Sequence, residues 1–330
     1  MIRNENQLAW TGRNRQKYHL CPVHAVHHRM PHPQQRQLAF AALFFVNLLY
    51  GVNYVVAKGL MPQVIGPSGF ILLRVAGANL LFWPVWLVRR ERVAWSDAKR
   101  LLLCGVSGVA INQLMFFHGL MRTSAVHASI IMVATPILVL VLSGMLLGER
   151  ITRNKALGVA LGAIGALMLI FLGGGRSSGS SVLGDFFILI NASSYAIFLV
   201  MVKPLMSKYS AVTVMAWCFL VGSLLVIPFG WHDFTLVDWH GLTGVQVSGL
   251  LFVVVMVTFI AYLLNTWALR VVQPSVAGTF IYLQPVLALM ATWLAGSGGV
   301  ELGWQQGLSA LCIFLGVWLV GRKERAVLAG

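Results

Sequence analysis

Long apolar stretches dominate the chain from Leu38 onward. Each is about 20 residues long, the length at which an α-helix crosses a hydrocarbon core of about 30 Å. Backbone polar groups cannot face lipid unpaired, and the alternating strands of a barrel are absent. The pattern therefore predicts an all-α integral membrane protein. The predicted spans are 38–60, 66–88, 100–121, 125–147, 154–172, 183–204, 210–230, 244–269, 274–295 and 303–321.

Composition and charge distribution agree with a membrane protein. Hydrophobic side chains make up 58% of the 330 residues and charged ones 10%, too little polar surface to cover globular domains in water. The chain carries 24 Lys and Arg against 9 Asp and Glu. If the N-terminus is cytoplasmic, the cytoplasmic side receives most of these cations, and the other side receives Lys58, Arg122 and Arg176. This asymmetry predicts an N-in, C-in topology, not a nucleic-acid partner.

The first 37 residues are polar and lack the apolar core of a signal peptide, so we interpret them as a disordered cytoplasmic tail. An alternative is that translation starts at Met30. Cys21, His24, His27, His28 and His32 in this tail do not promise the fixed geometry of a metal site, and we predict no metal or other cofactor. The remaining cysteines lie singly in apolar spans and indicate no disulfide framework.

The chain shows signs of an internal repeat. A shift of 149 residues brings Pro136 onto Pro285, and a shift of 145 brings Tyr50 onto Tyr195. A repeat with an odd number of spans places its two copies in opposite orientations, the inverted architecture of secondary transporters. We therefore predict ten transmembrane helices in two inverted five-helix repeats. The predicted divisions are a tail 1–37, a first repeat 38–172, a linker 173–182, a second repeat 183–321 and a tail 322–330.

Three short motifs in this order resemble the EamA family of the drug/metabolite transporter superfamily. They are Leu49-Tyr50-Gly51-Val52-Asn53-Tyr54 in the first span, Leu73-Arg74-Val75-Ala76 in the second, and Leu146-Leu147-Gly148-Glu149-Arg150 after the fourth. The second copy departs from the pattern, because Ser297-Gly298 stands where Gly148-Glu149 is expected and Glu301 is displaced. The resemblance covers the chain from Leu38 to its end. It implies transport, often export, of small organic metabolites rather than enzymatic activity.

Polar residues recur at helical spacing on the first and sixth spans. Asn47, Tyr50 and Tyr54 form one stripe, and Asn191 and Tyr195 form another. Lipid does not favour polar stripes, so we expect them to face the bundle interior and line a cavity. Simple interhelical hydrogen bonding is the alternative. Weaker candidates of the same kind on the third and eighth spans are Asn112, Gln113, Tyr262 and Asn265.

Pro136 and Pro285 are predicted near the membrane midplane, where a proline removes a backbone hydrogen bond and kinks a helix. Such paired kinks indicate a central site between the halves, although they also shape packing alone. The predicted substrate-binding residues are Asn47, Tyr50, Asn53, Tyr54, Arg74, Asn112, Asn191, Tyr195, Tyr262, Asn265 and Gln284. Structural roles are expected for Pro136, Glu149 and Pro285.

Arg74 is predicted about 12 Å inside its helix, a depth at which an unpaired cation costs several kcal/mol. No carboxylate is predicted at that depth, so Arg74 either holds backbone carbonyls or binds an anionic substrate group. Glu149, next to Arg150, is best interpreted as part of an ion cluster that fixes a helix end. His118 and His127 are expected near one membrane face, as a packed pair or as proton carriers.

These observations favour a secondary transporter, with export preferred, that works by alternating access around a midplane cavity. A cavity with cations and no carboxylate favours an amino-acid-like zwitterion or an anion as substrate. The alternatives are a channel and a membrane-embedded enzyme acting on a lipid-linked substrate, but no catalytic constellation is evident. The expected location is the bacterial plasma (inner) membrane, with the lipid bilayer and a small molecule as partners. The sequence leaves the oligomeric state open.

Overall fold

The computed structural model describes residues 33–123, 128, 131–172, 181–294 and 304–322. These residues form helices joined by short turns, and no β-strand occurs among them. The all-α prediction is therefore confirmed for the described part of the chain. The tail up to residue 32, residues 173–180 of the predicted linker, residues 323–330, His127 and Glu301 lie outside it.

The helices are numbered here in chain order. The first set is α1 (Pro33–Leu60), α2 (Pro67–Arg89), α3 (Trp95–Leu120), α4 (Ala134–Leu147) and α5 (Arg153–Leu172). The second set is α6 (Val182–Met206), α7 (Ala211–Thr235), α8 (Gly244–Val271), α9 (Pro274–Thr279 continued by Leu283–Leu294) and α10 (Trp304–Gly321). Most bounds lie within a few residues of the predicted spans. Helix α1 begins at Pro33 rather than residue 38, so residues 33–37 are helical and not part of a disordered tail.

Seven of these helices, α1 to α3 and α6 to α9, are long and apolar enough to cross a membrane. Helix α4 and residues Gly307–Gly321 of α10 are shorter apolar helices. Large apolar side chains cover the outside of the bundle: Leu80 is 76% exposed and Met145 75%. An apolar exterior of this kind requires lipid rather than water, so the protein is an integral membrane protein.

Two helices contain π-helical segments at equivalent positions. These are Val106–Ile111 in α3 and Val253–Ile260 in α8, and both end at positions related by the shift of 149 residues. Similar breaks occur before Pro136 and Pro285, at Val133 and at the 3-10 turn Phe280–Tyr282. Local departures from α-helical geometry of this type are frequent at functional sites and hinges.

Both prolines follow an interruption of the α-helical hydrogen-bond pattern. Pro136 is the third residue of Ala134–Leu147, and Pro285 is the third residue of Leu283–Leu294. The backbone stays helical at each interruption, with φ −59° and ψ −25° at Val133 and φ −63° and ψ −19° at Phe280. A proline has no N–H for the carbonyl four residues earlier, so an interruption at this place is the local change that an internal proline causes. The kinks themselves and their role stay a prediction.

The main helix contacts join the first five helices to the second five. Helix α2 packs on α7 and α5 on α10, while α1 packs on α8 and α9, and α6 packs on α3 and α4. Helix α7 also contacts the π segment of α3, as α2 contacts that of α8. Exchanging α1–α5 with α6–α10 leaves this set of pairs unchanged. Most of the buried core lies along these contacts.

Glycines allow α5 and α10 to approach closely. A Cβ on Gly158 would lie 2.7 Å from the carbonyl oxygen of Gly316, and one on Gly316 would lie 2.6 Å from that of Gly158. Such contacts are typical of small residues at membrane helix interfaces. Gly148 has a different role, since it ends α4 in the left-handed conformation with φ of 64°.

Carboxylates that follow one helix bind the N-terminus of a helix in the other set. Glu91 follows α2 and accepts a hydrogen bond from Ser210 N at 3.0 Å, at the start of α7. Near the end of α7, Asp233 Oδ2 accepts from Ser68 N at 3.1 Å, at the start of α2. Such contacts satisfy unpaired N–H groups and favour the helix dipole.

Glu91 is ionised more readily than an isolated glutamate. Partial burial alone would raise its pKa, but hydrogen bonds from Thr213 and Ser210 to the carboxylate outweigh that effect and hold the pKa below its ordinary value. The nearby positive charge of Arg270 acts in the same direction. Glu91 therefore links the α2–α3 loop to α7 as a carboxylate.

Candidate functional site

A small cavity of about 90 Å³ lies between the two sets of helices. Its lining comes from α1, α2, α3, α6, α8 and α9, together with Met132 just before α4. The lining residues are Tyr50, Asn53, Arg74, Asn112, Gln113, Phe116, Phe117, Met132, Asn191, Tyr195, Tyr262 and Gln284. Polar amides and phenols thus meet aromatic rings at a place enclosed by apolar helices.

Arg74 supplies a positive charge to this cavity. The residue is 5% exposed, and its Nε donates to Thr258 Oγ1 at 3.0 Å. The guanidinium carbon lies 5.4 Å from the centroid of Phe117 and 5.9 Å from that of Phe70, so the cation also rests on aromatic faces. No salt bridge to Arg74 occurs within the described residues. The bond to a hydroxyl differs from the backbone-carbonyl contacts that were one of the two alternatives for Arg74.

Several buried amide atoms of the lining find no hydrogen-bond partner among the described residues. They are both side-chain amide atoms of Gln113, and the Oδ1 atoms of Asn53 and Asn191. A buried polar atom without a partner costs about 1–3 kcal/mol, so most such atoms are satisfied by protein, water or ligand. Their clustering around one cavity indicates a place for a polar guest molecule.

Other lining amides and phenols are held in place by neighbours. Gln284 Nε2 donates to Asn47 Oδ1 at 2.9 Å, and Asn191 Nδ2 donates to the Asn112 carbonyl at 2.7 Å. Tyr195 accepts a hydrogen bond from Asn265 Nδ2 at 3.1 Å. The first two bonds join helices of different sets and the third joins α8 to α6, so all three orient the lining and couple it to helix packing.

Eight of the eleven residues predicted to bind substrate line this cavity. Asn47 and Asn265 do not, because they lie one layer behind it, where they position Gln284 and Tyr195. The side chain of Tyr54 is outside the described part of the structure. The sequence missed Phe116, Phe117 and Met132. Phe117 follows Gln113 by four positions on α3, a helical spacing that could have placed it on the same face.

Further contacts join helices on both sides of the cavity-lining residues along the chain. At the end of α3, His118 Nε2 lies 2.9 Å from Ser68 Oγ, and Arg122 Nη1 donates to the His118 carbonyl at 2.9 Å. On α6, Lys203 Nζ donates to the carbonyls of Leu269 at 2.6 Å and Val272 at 2.7 Å. These contacts link α2 to α3, and α6 to the end of α8.

Glu149 forms an ion cluster at the same end as Lys203. Its Oε1 lies 3.1 Å from Lys155 Nζ and accepts a hydrogen bond from Ser275 Oγ at the start of α9. The carboxylate thus ties the α4–α5 connection to α9. The structural role of Glu149 stays a prediction, and these contacts are what it would act through.

The described residues contain no group of three or more His, Cys, Asp or Glu side chains that could hold a metal ion.

The model of the EamA-like transporter family matches residues 37–171 and 182–322. The chain belongs to this family. Membership of the EamA-like family makes the protein a membrane transporter rather than an enzyme, with a small molecule as its substrate.

Individual relatives agree with this family. An uncharacterized transporter of Archaeoglobus fulgidus is 27% identical over 87% of this chain and 96% of its own length. The uncharacterized transporter YetK of Bacillus subtilis is 27% identical over 69% of each chain. A Streptantibioticus cattleyicolor protein named "probable terminal-alkyne amino-acid exporter" is 26% identical over 43% of this chain and 46% of its own.

A solved crystal structure has the same fold. It superposes with a TM-score of 0.69 at 17% identity, covering 85% of this chain and 95% of the other. At this identity the match supports the helix arrangement alone.

Proposed function

We propose that this EamA-like protein is a secondary transporter of a small organic zwitterion or anion, and that the substrate binds in the cavity beside Arg74. The observation that carries this proposal is a buried cation next to unpaired amide atoms in a cavity between the two sets of helices. The guanidinium offers several donors to a carboxylate or phosphate, and one of them is used by Thr258.

Electrostatics favour this substrate class. The cavity lining contains Arg74 and no Asp or Glu among its residues. A cationic substrate would have to shed water and then meet a like charge, whereas an anionic group gains a charge-assisted bond. Tyr50, Tyr195 and Phe117 add aromatic surface, so we expect the substrate to carry an apolar part.

The architecture we propose is two inverted five-helix repeats, 38–172 and 183–321, that form ten transmembrane helices. The symmetric helix pairs, the matched π segments and the matched restarts before Pro136 and Pro285 support it. A cavity of 90 Å³ holds about three water molecules and is smaller than the ~300 Å³ of typical ligand sites. Substrate entry therefore needs the helices to part, as alternating access requires.

We further propose an N-in, C-in topology in a bacterial plasma membrane and transport in the direction of export. The cluster Arg89, Arg90 and Arg92 after α2 supports the topology through the positive-inside rule. Export is supported by the name of the relative from Streptantibioticus cattleyicolor, which describes that protein as an exporter. Reporter fusions in the connection 90–94 are expected to be cytoplasmic, and a periplasmic reporter signal would contradict this topology.

A transport screen tests the proposed substrate class. Purified protein in vesicles is offered labelled amino acids, organic acids, nucleosides and lipophilic cations, with protein-free vesicles as control. We expect saturable transport of at least one zwitterion or anion and none of the cations, since α1 contains no carboxylate that could exchange protons for them. Preferential transport of a cation would overturn the proposal.

A further inference from the structure

A second, larger concavity lies on the outside of the bundle, between α2 and α7. It has a volume of about 480 Å³ and walls that are almost entirely apolar. The side chains at its rim are exposed on the outside of the bundle: Leu80 is 76% exposed, Leu224 64% and Trp231 61%. The floor is held by Asn79, whose Nδ2 donates to the Phe219 carbonyl at 3.2 Å across the two helices. This groove is separate from the Arg74 cavity, with which it shares no lining residue.

The groove is slightly longer than one leaflet of a bilayer and occupies the middle of α2, starting five residues after its first residue and ending six before its last. On α2 its walls run from Leu72 to Trp83, a rise of ~17 Å at 1.5 Å per residue. One leaflet contributes ~15 Å of the hydrocarbon core. Trp83 packs edge-to-face on Trp217 at a centroid distance of 5.6 Å and closes the deep end. Trp231 and Phe234 stand at the other end, as aromatic residues do at the level of lipid headgroups.

The open end of the groove is acidic. The segments that form it, 61–72 and 224–243, contain Asp233 and Asp238 and no Lys or Arg. The Asp233 side chain is 28% exposed; its Oδ1 lies 3.9 Å from Nδ1 of His232, and its Oδ2 accepts a hydrogen bond from Ser68 N. Arg122, in the turn after α3, donates to the His118 carbonyl and lies over the ring of Phe187. A lipid headgroup at this end of the groove would lie near the negative charges of Asp233 and Asp238, whereas the opposite end of α2 is rich in arginine.

We infer that the α2–α7 groove is a binding site for one phospholipid with an amino headgroup, namely phosphatidylethanolamine. One acyl chain fills the apolar walls, and the ammonium group lies at Asp233. In the proposed topology this lipid belongs to the outer leaflet. Because α2 and α7 belong to different repeats, the bound lipid contacts both halves of the protein at once.

The test measures lipid retention on the purified full chain and involves no transport assay, so its result is independent of the proposed substrate. The protein in detergent is mixed with equimolar phosphatidylethanolamine and phosphatidylglycerol of identical acyl chains, and bound lipid is counted by native mass spectrometry. For the wild type we expect one retained lipid, with phosphatidylethanolamine favoured at least threefold. Absence of a retained lipid, or equal retention of the two lipids, would overturn the inference.

Two variants separate the acyl-chain contact from the headgroup contact. Ala76→Trp fills the groove from an exposed lining position and is expected to lower retention at least threefold, whereas Ala160→Trp, at an exposed position on α5, should retain lipid normally. If Ala76→Trp folds poorly, Leu224→Trp fills the groove from the opposite wall. Asp233→Asn keeps an oxygen that can accept from Ser68 N and should abolish the headgroup preference without abolishing retention. Unchanged retention in the filled groove, or unchanged preference in Asp233→Asn, would contradict the assignment.

Discussion

Replacing Arg74 by Gln is the most informative single change in the proposed binding site. Glutamine keeps a polar, hydrogen-bonding side chain but removes the charge and the guanidinium donors. If Arg74 binds an anionic group of the substrate, the loss affects affinity. If it only braces α2 against α8 through Thr258, the loss affects folding.

The size of the effect follows from the contacts of Arg74. A hydrogen bond to a charged group contributes about 1.5–3 kcal/mol, and each 1.36 kcal/mol changes an equilibrium constant tenfold. Arg74→Gln should therefore raise the apparent KM about 10- to 150-fold. The hydrogen bond from Arg74 to Thr258 contributes about 1 kcal/mol to the free energy of unfolding. Arg74→Gln loses this bond, but it also removes the desolvation cost of a buried cation that has no carboxylate partner, and the two effects oppose each other. We therefore expect the melting temperature to change little.

Both quantities are measured on one purified preparation. Transport of the best substrate from the screen gives the apparent KM, and thermal melting in detergent gives stability. Thr258→Val is the matched control, because it removes the partner of Nε and keeps the charge. It should lower stability by about 1 kcal/mol and leave KM nearly unchanged. A loss of folded yield in Arg74→Gln with unaltered KM would refute the binding role.

Two further predictions concern the packing and the polar links between the halves. Gly158→Ala should destabilise the protein by about 2 kcal/mol, because the new Cβ would approach the Gly316 carbonyl. In the control variant Gly307→Ala nothing lies within 4 Å of the new Cβ, so the change should stabilise α10 by up to about 1 kcal/mol. Equal melting temperatures for the two variants would contradict the close contact between α5 and α10 at Gly158. Glu91 has a lowered pKa in the folded protein, so its contribution is complete above the unfolded-state pKa of about 4.3 and is lost as pH falls through the lower folded-state value. Glu91→Gln should therefore cost about 1 kcal/mol at neutral pH and flatten the acid limb of a stability-versus-pH curve, and an unchanged acid limb would refute the role of Glu91.

Hydrophobic length alone located the helices well, because a bilayer fixes how many apolar residues a span needs. It failed at the start of α1, where residues 33–37 are polar. Arg36 there donates to the Gly321 carbonyl at the end of α10, a contact between residues far apart in sequence. Sequence periodicity also does not show where the α-helical hydrogen bonds are interrupted before Pro136, which the structure places at Val133.

The candidate site was only partly predictable for a similar reason. Polar stripes identified the inward faces of α1 and α6, so Tyr50 and Tyr195 were placed correctly at the cavity. A polar stripe extends over several helical turns, however, and the short side chain of an asparagine reaches the cavity only from a turn that lies beside it. Asn47 and Asn265 therefore support the lining instead of forming it. The pairing of Arg74 with Thr258 depends on how α2 packs on α8, which no local pattern records.

Counterflow in reconstituted vesicles tests the central claim most directly. Vesicles loaded with a high concentration of unlabelled substrate are placed in a trace of the same labelled zwitterion or anion. A carrier that alternates around the Arg74 cavity should accumulate the label transiently above its external concentration, and Arg74→Gln should show this only at much higher substrate concentration. Equilibration of the label without any overshoot would indicate a channel and contradict alternating access.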